Sequence, residues 1–313
     1  MRVSPDNFAR AETDLYFGNI VAGGGFGTFF HNRELTPIDD QLVIRSNRDT
    51  LYSAAVFDLD AGPVTITLPD AGDRFMSLQV IDEDHYTHTV SYDAGDHTLT
   101  RDAIGTRYVA TPVRIFVDPD DDADIATVRA LQERIAVRQD NPGTFEIPHW
   151  DAVSQKTVRD ALVALAATLT DTRRMFGTRS DTDPVRHLIG SANAWGGNPE
   201  KDALYLTVVP PQNDGAIVHR LTVGDVPVDG FWSVTVYNKD GYLSANPQNA
   251  YSFNNVTARP NADGTTTISF GGCDGAEGNC LPITPGWNYT VRLYRPRQQV
   301  LDGTWTFPQA QPG

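Results

Sequence analysis

Residues 226–243, VPVDGFWSVTVYNKDGYL, are the clearest indication of the fold of the last third of the chain. The run from Phe231 to Tyr237 is rich in β-branched and aromatic residues, and the pair Asp240-Gly241 follows it. An Asp-Gly pair between alternating runs is the strongest short signal for a β-hairpin. Runs of the same type occur at Leu204 to Val209, Ile217 to Val223, Thr265 to Phe270 and Tyr289 to Tyr294. Residues 201–313 are therefore expected to form one all-β module of antiparallel sheets.

The N-terminal third shows a similar series of short β-like runs up to about Val117, beginning with Leu42 to Arg45. A helix is expected before it, from Ser4 to about Ile20, because Ser-Pro-Asp is a typical helix start. Helical spacing returns between residues 125 and 176, and the segment Ser180 to Asp202 is expected to be loop-like. The sequence thus predicts a mainly β, α+β protein built from two antiparallel β-sandwich or jelly-roll-like modules. We expect an N-terminal helix and β module at 1–120, a helical connector at 121–200 and the all-β module at 201–313.

The chain of 313 residues is acidic, with a formal net charge of −15 and a pI near 4.7. Nucleic-acid binding depends on clusters of Lys and Arg, so no nucleic-acid partner is expected. There is no apolar stretch long enough to span a membrane and no leader-like start, so we expect a cytoplasmic location unless a leader has been removed. The two cysteines, Cys273 and Cys280, are compatible with a disulfide and equally with a reducing compartment.

A glycine cluster at residues 23–27 follows the first predicted helix. A dinucleotide-binding glycine loop follows a strand and precedes a helix, which is the reverse order. We therefore expect these glycines to end the helix and allow close backbone packing, and no nucleotide cofactor is expected. The sequence also lacks the motifs of serine hydrolases, zinc proteases and nucleoside triphosphatases.

The first candidate site is the polar cluster at residues 82–88, directly after an apolar run. If the segment is extended, successive side chains alternate between two faces, and one face carries Asp82, Asp84, Tyr86 and His88. Asp82, Asp84 and His88 are then candidate ligands of a divalent metal. Asp82 and His85 are candidate acid–base groups, and Tyr86 is a candidate substrate contact. The alternative is a polar strand end that enters a turn.

The second candidate is the polar stretch at residues 45–53, which lies between two apolar runs. Such a stretch is expected to be partly buried, and buried charges need partners. Arg48 and Asp49 are expected to form a pair, structural or catalytic, and the Arg fork suits a carboxylate or phosphate. Asn47 and Tyr52 are candidate substrate-binding residues because both can donate to a developing oxyanion.

Aromatic residues are concentrated in the last third of the chain, where they can line a ligand cleft or fill a core. We expect most of them to be core residues. Trp232 remains a candidate substrate contact, and so does Trp195, because its glycine-rich loop can cover a cleft.

Two stretches resemble a known pair of domains. RSNRDTLYSAAVFDL, at residues 45–59, is similar to the domain of unknown function numbered 1254. VPVDGFWSVTVYNKDGYL, at 226–243, and GWNYTVRLYRPRQQVLDGTWTFP, at 286–308, are similar to its C-terminal companion, numbered 1214. The resemblance implies two β-sandwich or jelly-roll-like modules joined by helices, and it assigns no catalytic residue.

Two functional hypotheses follow from the sequence. The first is an enzyme of hydrolase or lyase type that acts on a small organic substrate in a cleft between two β modules, with metal assistance as an option. The second is a non-enzymatic protein that binds a carbohydrate or apolar ligand in an aromatic-lined β cleft. Both require a small-molecule ligand, and assembly into a homo-oligomer is left open.

Overall fold

The computed structural model describes residues 1–41, 44–275 and 277–313. The predicted strand at Leu42 to Arg45 contains residues 42 and 43 and therefore lies outside the described residues. The chain divides into two units, which comprise Met1–Arg33, Leu51–Val117 and Ala123–Glu200 for unit 1, and Glu34–Thr50, Asp118–Asp122 and Lys201–Gly313 for unit 2.

Unit 1 combines helices with two sheets. In chain order its elements are α1 (Phe8–Ala22), β1 (Phe30–His31), β2 (Thr50–Ala54), β3 (Val56–Asp58), β4 (Val64–Leu68), β5 (Met76–Asp82), β6 (Thr87–Ser91), β7 (Gly95–Leu99), α2 (Arg101–Ile104), β8 (Tyr108–Ala110), β9 (Val113–Phe116), α3 (Asp122–Glu133), β10 (Ala136–Arg138), α4 (Ala152–Ala166) and α5 (Pro184–Asn193). Within the described chain the larger sheet has the order β1-β2-β9-β5-β8-β3, with β6 paired to β5, and the smaller sheet has the order β10-β4-β7.

The helices of unit 1 share one core with each other and a second with the sheet. Phe8 of α1 clusters with Leu162 of α4 and Ile189 of α5. Further along α1, Phe17 clusters with Val56 and Tyr108 on the strands. The helices between residues 123 and 200 therefore group with unit 1, whereas we had expected a separate connector.

Two helix ends and one whole helix differ from the sequence predictions. The first helix begins at Phe8, after a turn, and ends at Ala22, where the glycine cluster starts. A Cβ at Gly25 would lie 2.9 Å from the carbonyl oxygen of Ala54, so the predicted close backbone packing is present. Helix α5 lies in a segment that we had expected to be a loop. Its start is fixed by Asp183, whose side chain accepts hydrogen bonds from two backbone N–H groups of the first turn.

Unit 2 is a two-sheet sandwich, which confirms the mainly β, α+β fold class. Its elements are β11 (Ala203–Val208), β12 (His219–Val223), β13 (Trp232–Tyr237), β14 (Ser252–Asn254), β15 (Thr266–Phe270), β16 (Asn279–Leu281), β17 (Asn288–Tyr294), α6 (Gln298–Leu301) and β18 (Gln311–Pro312). One sheet has the order β11-β17-β13-β14 and the other β16-β15-β12-β18, as far as the described residues extend. Val234 and Val291 of the first sheet share a buried core with Leu221 and Ile268 of the second.

Candidate functional site

The outer face of the β11-β17-β13-β14 sheet is polar yet buried. Side chains alternate along a strand, so Ser233, Thr235 and Tyr237 lie opposite the apolar core face of β13. Ser233 is directly opposite Arg292 on one neighbour and Asn254 on the other. All five residues are at most 3% exposed. Their polar groups must therefore find partners inside unit 2.

These partners come from the segment Glu34–Thr50, which belongs to unit 2. The Nδ2 group of Asn47 donates to the hydroxyl of Tyr294 at 3.1 Å, and the Tyr237 hydroxyl donates to the carbonyl of Ser46 at 2.8 Å. The predicted polar stretch is thus buried in part, and its hydrogen bonds join it to the polar face of the sheet.

Asp49 is the most deeply buried member of this segment, with no exposed surface. Its Oδ1 accepts from Asn254 Nδ2 at 3.1 Å, and its backbone N–H is held by Asn47 Oδ1 at 2.8 Å. Its Oδ2 makes no hydrogen bond of normal geometry among the residues that the structure describes, although the nearby Ser233 hydroxyl opposes the rise in its pKa. Burial raises the pKa of this carboxyl, and the nearby Arg292 and the polar side chains only partly oppose that rise.

Arg292 is the buried cation of the site, and the sequence analysis did not identify it. Its Nη1 donates to Thr235 Oγ1 at 2.9 Å, and its Nη2 donates to the Tyr237 hydroxyl and to the Arg45 carbonyl, both at 2.7 Å. Burial acts to lower the pKa of Arg292, but Tyr237 and Asp49 outweigh it, and the net effect is a raised pKa. The guanidinium therefore stays charged. The available signal was the alternation of β17, which places Arg292 on the face opposite Val291.

Arg48 and Arg45 complete the cationic part of the site. Arg48 Nη1 donates to the Thr36 carbonyl at 2.6 Å, and the guanidinium lies 5.2 Å from the centre of the Tyr251 ring. We had expected Arg48 to pair with Asp49, and it contributes only a minor charge effect there. Burial lowers the pKa of both arginines. A small pocket of unit 2 borders Tyr237 and Tyr251.

The cluster at residues 82–88 lies in unit 1 and forms a tight turn. Asp82 Oδ1 accepts from the backbone N–H groups of Asp84 and Tyr86, both at 2.9 Å, and Asp82 Oδ2 lies 2.9 Å from His88 Nε2. Asp84 instead forms an ion pair with Arg10. The three predicted metal ligands do not converge. Among the described residues there is no group of three or more His, Cys, Asp or Glu side chains placed to hold a metal ion.

His85 has a structural role in this turn. Its Nε2 accepts from the Gly196 N–H at 2.8 Å, so Nδ1 carries the proton and donates to Ser191 Oγ at 2.8 Å. The ring is buried, and this burial is the main reason that the pKa of His85 lies well below its usual range. The neighbouring His187 lowers the pKa of His85 further. A neutral imidazole with both nitrogens occupied has no position left for a substrate proton.

The aromatic candidates pack within their own units. In unit 1, Tyr86 stacks on His187 with ring centres 4.3 Å apart, and Trp195 stacks on Tyr16 at 4.5 Å. The Tyr52 ring lies 5.5 Å from the guanidinium carbon of Arg114. In unit 2, Trp232 is part of the sandwich core. Each of these aromatic side chains therefore packs against neighbours of its own unit.

A further buried carboxyl in unit 1 was missed by the sequence analysis. Asp14 of α1 accepts from Trp150 Nε1 at 2.7 Å, while its Oδ1 has no partner among the described atoms. Burial raises the pKa of Asp14 to about 6, and Glu83 and Asp84 contribute to the rise. No sequence motif marks this residue, because its environment depends on helix packing.

The fold shows the structural class of the protein, which is a two-module α+β protein made mainly of antiparallel sheets. Family comparison then names the modules. Residues 26–102 match the protein of unknown function DUF1254, and residues 211–298 match the protein of unknown function DUF1214. The chain belongs to the family of proteins that carry these two domains together, which confirms the resemblance.

Two solved structures are similar to the whole chain. The VPA0106 protein from Vibrio parahaemolyticus is 18% identical and has a TM-score of 0.73, with 98% of this chain and 97% of that chain covered. A putative uncharacterized protein from Burkholderia cenocepacia is 14% identical and has a TM-score of 0.56, with 96% and 86% covered. At these identities the likeness shows the fold alone. No curated protein matches the chain.

In the described part of the chain, no helix is both long enough and apolar enough to cross a membrane.

Proposed function

We propose that the protein is an enzyme of hydrolase or lyase type that acts on a small organic substrate, with Asp49 in unit 2 as its acid–base group. One observation carries the proposal. The Asp49 carboxyl is fully buried, its Oδ2 makes no hydrogen bond of normal geometry in the described chain, and its pKa is raised although the charged Arg292 and the Ser233 hydroxyl are near.

A carboxyl in this position suits proton transfer. An unsatisfied buried polar atom costs about 1 to 3 kcal/mol, so a purely structural site favours a residue with fewer polar atoms. A raised pKa brings the group towards the operating pH, where it can both give and take a proton. The buried charge of Arg292 then stabilises negative charge that develops on the substrate.

The other predicted catalytic residues receive different roles in this proposal. Asp82 and His85 fix a turn of unit 1, and we assign them no part in the reaction. The carbohydrate-binding alternative loses support because Trp232 lies in a core.

The test compares Asp49→Asn with Asp240→Asn, an exposed control in unit 2. Wild-type protein is screened against small esters, lactones, amides and hydroxy acids. General acid–base catalysis contributes roughly 10²- to 10⁴-fold, so Asp49→Asn should lower the detected turnover by at least about 100-fold and the control should retain it. Infrared titration provides a readout without substrate, since a carboxyl band that titrates above the ordinary range of Asp should be lost in Asp49→Asn and kept in the control. Unchanged turnover or an unchanged band would contradict the proposal.

The remaining functional expectations are also proposals. We propose a small-molecule ligand and leave a homo-oligomer as an option.

Cys273 and Cys280 are joined by a disulfide. Disulfides persist mainly in oxidising compartments, so this bond counts against the cytoplasmic location expected from the sequence.

A further inference from the structure

We propose that the substrate of this site carries an anionic group, a carboxylate or a phosphate, which binds to the guanidinium of Arg45, with Arg48 of the same segment as a second cation. This inference rests on the proposed function and names the substrate class.

Arg45 is held in an unusual conformation by unit 2. Its φ is 53°, in the left-handed region that non-glycine residues seldom occupy. The backbone is fixed on both sides, since its N–H donates to the Gly241 carbonyl and its own carbonyl accepts from Arg292, both at 2.7 Å. Backbone strain of this kind is concentrated at functional sites. Here it sets the direction of the Arg45 side chain.

The Arg45 side chain has no anionic partner in the described chain. Its Nε is buried and makes no hydrogen bond there. The groups that influence its charge are Tyr237 and a second cation, Arg292. A partly buried guanidinium without a countercharge is unfavourable. A bound anion would supply the missing countercharge.

Arg48 is a second cation in the same segment, separated from Arg45 by the polar residues Ser46 and Asn47. The hydrogen bond from Arg48 to the Thr36 carbonyl uses one of the five guanidinium N–H groups. The carboxylates that influence its charge are Asp120 and Asp49, and burial raises the pKa of both carboxyls. Guanidinium groups match the two oxygen atoms of a carboxylate or phosphate in geometry as well as charge.

The test measures binding of acetate, malonate and inorganic phosphate to the full-length protein by calorimetry, against chloride at equal ionic strength. The variants are Arg45→Gln and Arg48→Gln, and the control is Arg259→Gln, which removes the same charge from an exposed position of unit 2. We expect saturable binding of a carboxylate or of phosphate, and the better ligand identifies the group. Arg45→Gln should weaken it at least tenfold, Arg48→Gln less, and Arg259→Gln should leave it unchanged.

Absence of saturable binding, or equal binding by Arg45→Gln, would overturn the inference. If Arg45→Gln fails to fold, Arg45→Asn serves instead, because Asn tolerates a positive φ better. Asp49→Asn separates the two proposals. Loss of turnover in Asp49→Asn without any anion binding by wild-type protein leaves the acid–base proposal standing and refutes the substrate class alone.

Discussion

The substitution Asp14→Asn should stabilise unit 1 at neutral pH and have little effect in acid. Asp14 has no exposed surface, and its pKa is raised from 3.8 to about 6 by burial. The folded state therefore holds a proton that the unfolded state has lost between these two pH values. The stability contributed by the protonated form is complete below the unfolded pKa and is lost as pH rises through the folded pKa.

The size of the effect follows from the shift. A difference of about 2 pKa units, at about 1.4 kcal/mol per unit, corresponds to about 3 kcal/mol. Burial is the largest cause of this shift, so the expected stabilisation is on the order of 1 to 3 kcal/mol. Asn keeps an oxygen that can accept from Trp150 Nε1, so the substitution removes the charge and retains the hydrogen bond.

Native-state hydrogen exchange of the α1 amides is the suitable assay, because it reports unit 1 separately from unit 2. The free energy of opening in Asp14→Asn should exceed the wild-type value at about pH 7 and match it at about pH 4. Asp73→Asn, at an exposed position of unit 1, is the charge-matched control. An equal change at both pH values, or a loss of protection at pH 7, would refute the reasoning about Asp14.

Two further predictions concern unit 2. Arg292→Met removes one partner of a buried network and should lower the free energy of unfolding, measured in urea, by roughly 3 to 5 kcal/mol. It should also raise the pKa of Asp49 further, as measured from the infrared band of that carboxyl. A loss below about 1 kcal/mol would contradict a buried Asp49–Arg292 interaction. Replacing Cys273 and Cys280 by Ser removes the bond that closes a short loop and should lower the free energy of unfolding by about 2 kcal/mol. The wild-type protein, unfolded without a reductant, should not react with a thiol reagent. Two reactive thiols would contradict the disulfide.

The strands of unit 2 were predictable because each strand has a core face and an outer face, and its side chains alternate between them. The run at Phe231 to Tyr237 was assigned to within one residue of β13, and Tyr289 to Tyr294 to within one residue of β17. Helix α5 was missed because it is short and contains Gly190 and Ser191, although Asp183 and Pro184 are a recognisable start. Local signals of this kind were present, and the composition of the surrounding segment outweighed them.

The site was predictable only where the signal was local. Asn47, Arg48 and Asp49 were identified because a polar run between apolar runs has to be explained by burial. Arg292 was missed because its role depends on register. It becomes part of the site only when β17 lies between β11 and β13 and brings it opposite Ser233. Neither fact can be read from the residues around position 292.

The DUF1254 match and unit 1 do not have the same boundaries, and this difference has a physical reason. The match covers residues 26–102, yet Glu34–Thr50 folds as part of unit 2. There it supplies the acceptors that Arg292 and Tyr237 require, the carbonyls of Arg45 and Ser46. Residues 201–313 alone would leave this polar face without them, because the remaining strands of the sheet cannot turn their own backbone groups towards it. Unit 2 is thus complete only with residues from both matched domains, and the proposed site lies where they combine.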